Sequence, residues 1–169
     1  TALLQAMEQL TNHENIKFLI AGHGSKMPLV RAAAEHLPNV KICGFLTGAA
    51  FERAVAASSC GIVSLERGLT GMCAPSKYYS YLQGGLPILA IAEQNAYLSK
   101  ETLHCGVGLP SDVGNGVQLV ENVLKLYQEP ELREKMSENA SRLYTQKYAK
   151  SIGLGKYAAL LKEVLYMTD

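Results

Sequence analysis

Ser76 and Lys77 stand directly behind Pro75 and ahead of a helical stretch, and no other pair of polar side chains in the sequence is better placed to hold an anion. Proline is tolerated at the first position of a helix because its missing N–H would be unpaired there anyway, and serine can accept a hydrogen bond from the first free amides. The remaining amides point at whatever lies before the helix, and the helix dipole makes that place favourable to negative charge. A lysine in a first turn opposes the same dipole, so Lys77 is expected to answer to an external anion such as a diphosphate rather than to the helix. Gly68 and Gly71 let the preceding loop, residues 66–74, turn tightly. Glu66 opens that loop straight after an apolar run, where its carboxylate suits sugar or ribose hydroxyls and otherwise stays in solvent.

Two further loops follow apolar runs in the same way. Gly22-His23-Gly24-Ser25 would let a backbone approach a phosphate or ribose, or make a simple tight turn; His23 is a lone histidine with no acid/base partner in sequence. Gly44-Phe45-Leu46-Thr47 places an aromatic ring at the end of a strand, where it would either cap the core or cover a ligand. Tyr78, Tyr79 and Tyr81 share one helix and read as packing. The pairs Glu121 with Lys125 and Glu131 with Lys135 are spaced as helical ion pairs. No Ser-His-Asp order, metal-ligand cluster or Walker loop is present.

The elements that must carry these loops alternate. Leu3, Leu4, Met7 and Leu10 predict an opening helix that nothing ahead of Thr1 caps, as in a chain cut from a longer one. Strands are predicted over 16–21, 40–45, 61–65 and 86–92, with a short fifth near 105–109, and helices over 28–36, 51–57 and from Pro75, which Gly84 and Gly85 stop. The strongest helical stretches are 116–127 and 130–148; residues 149–155 read as a hinge before a last amphipathic helix carrying Tyr157, Leu160, Leu161, Val164 and Leu165. Alternation at this spacing predicts an α/β fold, a doubly wound and mainly parallel sheet with helices on both faces. Residues 1–148 would form one Rossmann-like domain and 149–169 a helix leaving it. Ligands of such sheets bind beyond the carboxyl ends of the strands, where the three loops gather.

A chain of 169 residues can bury about 70% of its unfolded surface, enough for one real core. Sixteen basic against fifteen acidic residues leave a net charge of +1, which offers no footprint for nucleic acid. Cys43, Cys60, Cys73 and Cys105 form no CxxC pair and fit reduced thiols in a cytoplasmic protein. No apolar run reaches the roughly 18 residues of a membrane span.

Residues 75–90, Pro-Ser-Lys-Tyr-Tyr-Ser-Tyr-Leu-Gln-Gly-Gly-Leu-Pro-Ile-Leu-Ala, together with Phe18 to Gly24 and Glu129 to Ala140, resemble the carboxy-terminal, donor-binding domain of the retaining glycosyltransferases of GT-B fold, group 1 or family 4 type, in the branch that carries Pro-Ser-Lys. The resemblance implies a nucleoside-diphosphate sugar as donor, transfer of the sugar to an acceptor hydroxyl in polysaccharide assembly, and no divalent metal. It implies Lys77 as the catalytic charge and Gly22, His23, Gly24, Phe45, Leu46, Glu66, Ser76, Lys77 and Ser80 as donor contacts, with the backbone near Phe45 and Leu46 lying along the base. The acceptor would sit mainly on an amino-terminal domain, which would also make any peripheral contact with the inner face of a membrane. The chain departs from the family at Met72 and Ser80, where two glutamates eight residues apart would reach the donor sugar and the ribose. A serine cannot bind two adjacent hydroxyls as a carboxylate can. The family's diphosphate-neutralising Arg and Lys would lie upstream of Thr1, so this stretch alone is expected to bind nucleotide weakly and to turn nothing over. The rival readings are half of a nucleotide-sugar epimerase and a non-catalytic domain that kept the fold. A nicotinamide dehydrogenase is disfavoured, because Gly22-His23-Gly24 lacks a third glycine and no acidic residue closes the next strand.

Overall fold

The computed structural model describes residues 1–166. Strands β1 (Phe18–Ala21), β2 (Val40–Cys43), β3 (Gly61–Ser64), β4 (Ile88–Ile91) and β5 (Gly108–Ser111) alternate with helices α1 (Ala2–Gln9), α2 (Met27–Ala34), α3 (Gly48–Ala56), α4 (Ser76–Gln83), α5 (Tyr97–His104), α6 (Gly116–Gln128) and α7 (Pro130–Leu143). A π-helical turn, Tyr144–Tyr148, and α8 (Lys150–Tyr166) follow. Every ladder is parallel: β1 with β2, and β3 with β4 with β5. The predicted α/β, doubly wound class holds, but the strands fall into two ladders rather than one.

β4 shows why the sheet needs helices on both sides. All four of its residues are buried, and they alternate between two cores. Leu89 and Ile91 join Met7 of α1, Leu10 just past its end, and Leu119 and Val123 of α6; Ile88 and Ala90 join Tyr78 and Leu82 of α4, Leu98 of α5 and Ala140 of α7. The buried Asn39 amide donates to the carbonyl of Met7 at 2.8 Å, tying the end of α1 to the start of β2. Contrary to the sequence expectation, α1 is capped: Thr1 Oγ1 accepts from the Leu4 amide at 3.4 Å.

The turn from α4 into β4 follows the expected glycine pair. Gly85 takes a left-handed φ of +67°, and its carbonyl accepts a 2.6 Å bond from Ser137 of α7. A Cβ on Gly84 would come within 2.3 Å of Val55, so α3 closes on the helix end only because this position has no side chain.

α5 escaped the sequence reading because its buried face is largely polar: Ser99, Glu101 and Thr102 lie inside beside Leu98. Glu101, 6% exposed, is the acceptor at the centre of this face. Lys147 Nζ lies 2.6 Å from its carboxylate, Tyr148 donates to it at 2.7 Å, and Tyr97 reaches the same oxygen. Burial by itself would raise the Glu101 pKa, but these donors outweigh it and hold the carboxyl below its usual range; the same contacts raise Lys147 above the usual lysine range. The predicted helix over 130–148 therefore breaks at Leu143, where the π turn aims Lys147 and Tyr148 inward. The predicted hinge over 149–155 narrows to Ala149, with Gly153 and Gly155 inside α8. The ion pairs expected at Glu121 with Lys125 and Glu131 with Lys135 do not form among the described residues, where Lys26–Glu66, Arg67–Glu93 and Lys147–Glu101 are the pairs found.

A carboxyl with a lowered pKa stabilises the fold above the ordinary carboxylate range and loses that contribution as pH falls through it; a raised lysine contributes below the lysine range and loses it as pH rises. Glu101→Ala is expected to cost about 2 kcal/mol in urea unfolding at neutral pH, less than a fully buried pair because Lys147 is half exposed. The difference between Glu101 and Glu101→Gln should shrink below about pH 4.

Candidate functional site

α4 begins with its polar groups open. Pro75, in an extended conformation, is the cap rather than the first helical residue, and no side chain caps the helix. The Ser76 hydroxyl, expected to accept from the first amides, does not. The Tyr78 amide is satisfied by the Pro75 carbonyl at 3.1 Å, while the Ser76 and Lys77 amides have no acceptor among the described residues. Lys77 is exposed and forms no ion pair among them. Ser80 is half-buried, one turn below, and its hydroxyl reaches back toward the Ser76 carbonyl at 3.5 Å. Tyr78 is buried, Tyr79 meets Tyr148 edge-on at 4.8 Å, and Tyr81 stacks on Phe51 at 6.5 Å. These rings fix the helix below its open first turn.

The loop 66–74 in front of α4 is held by Glu93, the second residue beyond β4. Its Oε2 accepts from the Gly68 amide at 3.1 Å and from Thr70 Oγ1 at 2.9 Å, and its other oxygen lies 3.9 Å from Arg67. The Gly68 amide, more than Thr70 or Arg67, holds the Glu93 carboxyl below its usual range. Gly68 is at φ +82°, a conformation that aims its amide at Glu93 and that a residue with a Cβ rarely adopts. Arg67 also donates to the Val113 carbonyl at 3.4 Å, pinning the same loop to the turn after β5. Met72 remains 79% exposed at the loop's outer side.

The loops after β1 and β2 are joined to each other. The Gly22 amide donates to the Gly44 carbonyl at 3.2 Å, and the His23 and Phe45 rings meet edge-on at 5.2 Å. Phe45 is 69% exposed, so of its two readings the ring stands over the strand ends and does not cap the core. Leu46 beside it is half-buried. Glu66, at the start of the third loop, is ion-paired with Lys26, just past Gly24. His23, Gly24, Phe45, Glu66, Ser76 and Lys77 are thus all exposed on loops and a helix start at the carboxyl ends of the strands. Lys77 meets none of the other predicted site residues directly. A shallow recess lined by Val55, Gly84 to Pro87, Arg133 and Ser137 lies at the opposite end, before β3 and β4.

Sequence reasoning overlooked Glu93, Thr70, Arg67 and Lys26. Glu93 had a signal: it is the first charged residue after an entirely apolar strand, at the edge where ligand loops gather. The other three are ordinary surface residues until the fold brings them to it. The four cysteines are free thiols, and no group of three or more His, Cys, Asp or Glu residues among the described residues is arranged to hold a metal ion. No helix among the described residues is long and apolar enough to cross a membrane.

No protein-family model matches the chain. It is 28% identical over 162 residues to a probable glycosyltransferase, WbjE, of Pseudomonas aeruginosa, covering 93% of this chain and 39% of that protein. The crystal structure of a glycosyltransferase from Rickettsia africae superposes with a TM-score of 0.76 at 18% identity, over 97% of this chain and 44% of that one. A crystal structure of the pneumococcal O-GlcNAc transferase GtfA in complex with UDP and GlcNAc superposes with a TM-score of 0.71 at 19% identity, over 97% of this chain and 33% of that one. The chain has the fold of the carboxy-terminal domain of a GT-B glycosyltransferase. This GT-B domain spans about two fifths of the curated relative it matches.

Within the GT-B domain, Glu93 makes the 66–74 loop sensitive to a single carboxylate. Glu93→Gln should speed hydrogen exchange at the Gly68 amide by roughly tenfold, the loss expected for one charge-assisted bond. The wild-type loop should show the same loosening as pH falls through the lowered Glu93 pKa, and the variant should show no such dependence.

Proposed function

We propose that the chain is the donor-side domain of a retaining glycosyltransferase, holding a nucleoside-diphosphate sugar while the sugar passes to an acceptor hydroxyl. The observation that carries the reading is the uncapped start of α4, where the Ser76 and Lys77 amides and the Lys77 ammonium face open space beside three strand-end loops. That arrangement suits the diphosphate. Breaking the bond between a sugar and a diphosphate builds negative charge on the leaving phosphate and positive charge on the sugar carbon, so preorganised positive groups at the phosphate lower the barrier. In this reading Lys77 is the catalytic charge and needs no divalent metal. Gly22, His23 and Gly24 flank the phosphates, Phe45 and Leu46 lie along the base, and Ser76 binds the diphosphate. Glu66 and Ser80 meet hydroxyls of the sugar or ribose. GtfA, whose structure holds UDP and GlcNAc, supports a uridine nucleotide as a donor worth testing. The transferred unit is proposed to be a hexose-type sugar.

The acceptor belongs, on this proposal, to an amino-terminal domain, as does any peripheral contact with the inner face of a membrane. α8 is proposed to pack toward that domain, because Leu154, Tyr157, Leu161 and Val164 form an exposed stripe along one side of it. Residues 1–148 then form the nucleotide-binding unit and 149–169 its link across the cleft.

In the intact enzyme, Lys77→Ala should slow transfer from a nucleotide sugar by about ten- to a hundredfold, from roughly 1.5–3 kcal/mol of lost charge contact, and Lys77→Arg should slow it less. Steady-state turnover and analysis of the product's anomeric configuration check this. Unchanged turnover in Lys77→Ala would return the residue to a solvated surface lysine, and an epimerised nucleotide sugar as product would favour the epimerase reading.

A further inference from the structure

Lys26 and Lys77 share one predicament. Each stands at the start of a helix, Lys26 as the N-cap of α2 and Lys77 in the first turn of α4, and both helices begin at the carboxyl ends of the strands they follow. A helix start disfavours a cation, so each lysine calls for an anion. Lys77 has no ion-pair partner among the described residues, whereas Lys26 has Glu66. That pair joins the loop after β1 to the loop after β3, yet it is a loose tie. Its two side chains are 58% and 67% exposed, and an ion pair in that much water shifts an equilibrium by about fivefold at most. The backbone around Glu66, by contrast, is fixed on both sides. The Leu65 amide donates to the Ile91 carbonyl at 2.8 Å, while Arg67 donates to the Val113 carbonyl and the Gly68 amide to Glu93. Only two side chains have to turn for the pair to part. Both loops leave room for them: a Cβ placed on Gly22, Gly24, Gly68 or Gly71 would meet no atom within 4 Å beyond its chain neighbours.

We propose that the Lys26–Glu66 ion pair is exchanged when the donor binds: the diphosphate takes Lys26, and the Glu66 carboxylate so released takes the two adjacent hydroxyls of the ribose. This rests on the donor-site reading given above and adds Lys26 to it as a second diphosphate contact and Glu66 as the residue that tells ribose from deoxyribose. The charges favour the exchange. A nucleoside diphosphate carries at least two negative charges against the single one on Glu66, so Lys26 gains by changing partner, and with Lys77 it brings two cations to two phosphates. A released Glu66 would repel the phosphates if left without donors. Adjacent hydroxyls are donors that a carboxylate can accept from with both oxygens, which a ligand ending in phosphate alone does not offer. A nucleoside diphosphate therefore answers both halves of the pair, and inorganic pyrophosphate answers one and leaves Glu66 as a competitor for Lys26.

Calorimetry on the full-length protein tests this with three probes: inorganic pyrophosphate, uridine diphosphate and 2′-deoxyuridine diphosphate. Lys26→Ala should weaken pyrophosphate by about tenfold, the loss expected for one charge-assisted contact. Glu66→Gln should act in the opposite direction and tighten pyrophosphate by up to about fivefold, because the competitor for Lys26 is gone. The same Glu66→Gln variant should lose the preference of the wild type for uridine diphosphate over its 2′-deoxy counterpart. Pyrophosphate affinity unchanged in both variants would overturn the exchange, and so would a ribose preference that survives Glu66→Gln. If uridine diphosphate still shifts the Ser76 and Lys77 amides in those cases, the donor site stands and the exchange alone falls. If neither pyrophosphate nor uridine diphosphate binds the strand-end face of the wild type, the donor site falls and the exchange with it.

Discussion

The buried Glu101 carboxylate is the interaction on which the placement of the other parts turns. A carboxylate only 6% exposed is costly unless donors surround it, and here three come from two places in the chain: Tyr97 on its own helix, and Lys147 and Tyr148 from the π turn. Satisfying it fixes where α7 ends and in which direction α8 leaves. Tyr148 also meets Tyr78 and Tyr79 edge-on, so the same turn braces α4, the helix whose first turn lies open at the strand ends. The departure of the last helix and the seat of the candidate anion site are thus set by one polar knot. A purely apolar contact could fill the volume but would not dictate which residues of the turn face inward.

The strand-end face shows a second use of carboxylates. Glu93 and Glu66 do not gather into a catalytic pair. Each ties one loop to another, Glu93 to Gly68 and Thr70 and Glu66 to Lys26, while Lys77 forms no ion pair among the described residues. An acidic ligand would therefore meet a face on which loop geometry is fixed internally and an unpaired lysine sits at a helix start. That fits a diphosphate better than a neutral sugar or a nucleic acid.

Much of this was legible in the sequence where one residue type has one structural outlet. The all-apolar run before Glu93 could only be a strand covered on both faces, and Gly84-Gly85 could only end a helix. The Pro-Ser-Lys motif marked the start of α4, though Pro75 moved one place outward to the cap and left Ser76 without the capping bond expected of it. α5 was not legible, because Ser99, Glu101 and Thr102 on its buried face erase the apolar period by which helices are recognised. The π turn was hidden too, since its cause is a partner nearly fifty residues away. Whether Phe45 caps the core or stands free was not legible, because an aromatic at the end of a strand can do either; here the strand stops at Cys43 and the ring stands outside against His23.

The central claim is that the carboxyl ends of the strands, centred on the first turn of α4, receive a nucleoside diphosphate. The most direct measurement is a titration of the isotopically labelled full-length protein with uridine and guanosine diphosphate, followed by backbone amide shifts. The account predicts saturable shifts at Gly22 to Ser25, Phe45 to Thr47 and Met72 to Lys77, with the Ser76 and Lys77 amides moving most. Shifts confined to the opposite end, around Ser58, Gly84 to Pro87 and Arg133, would contradict it.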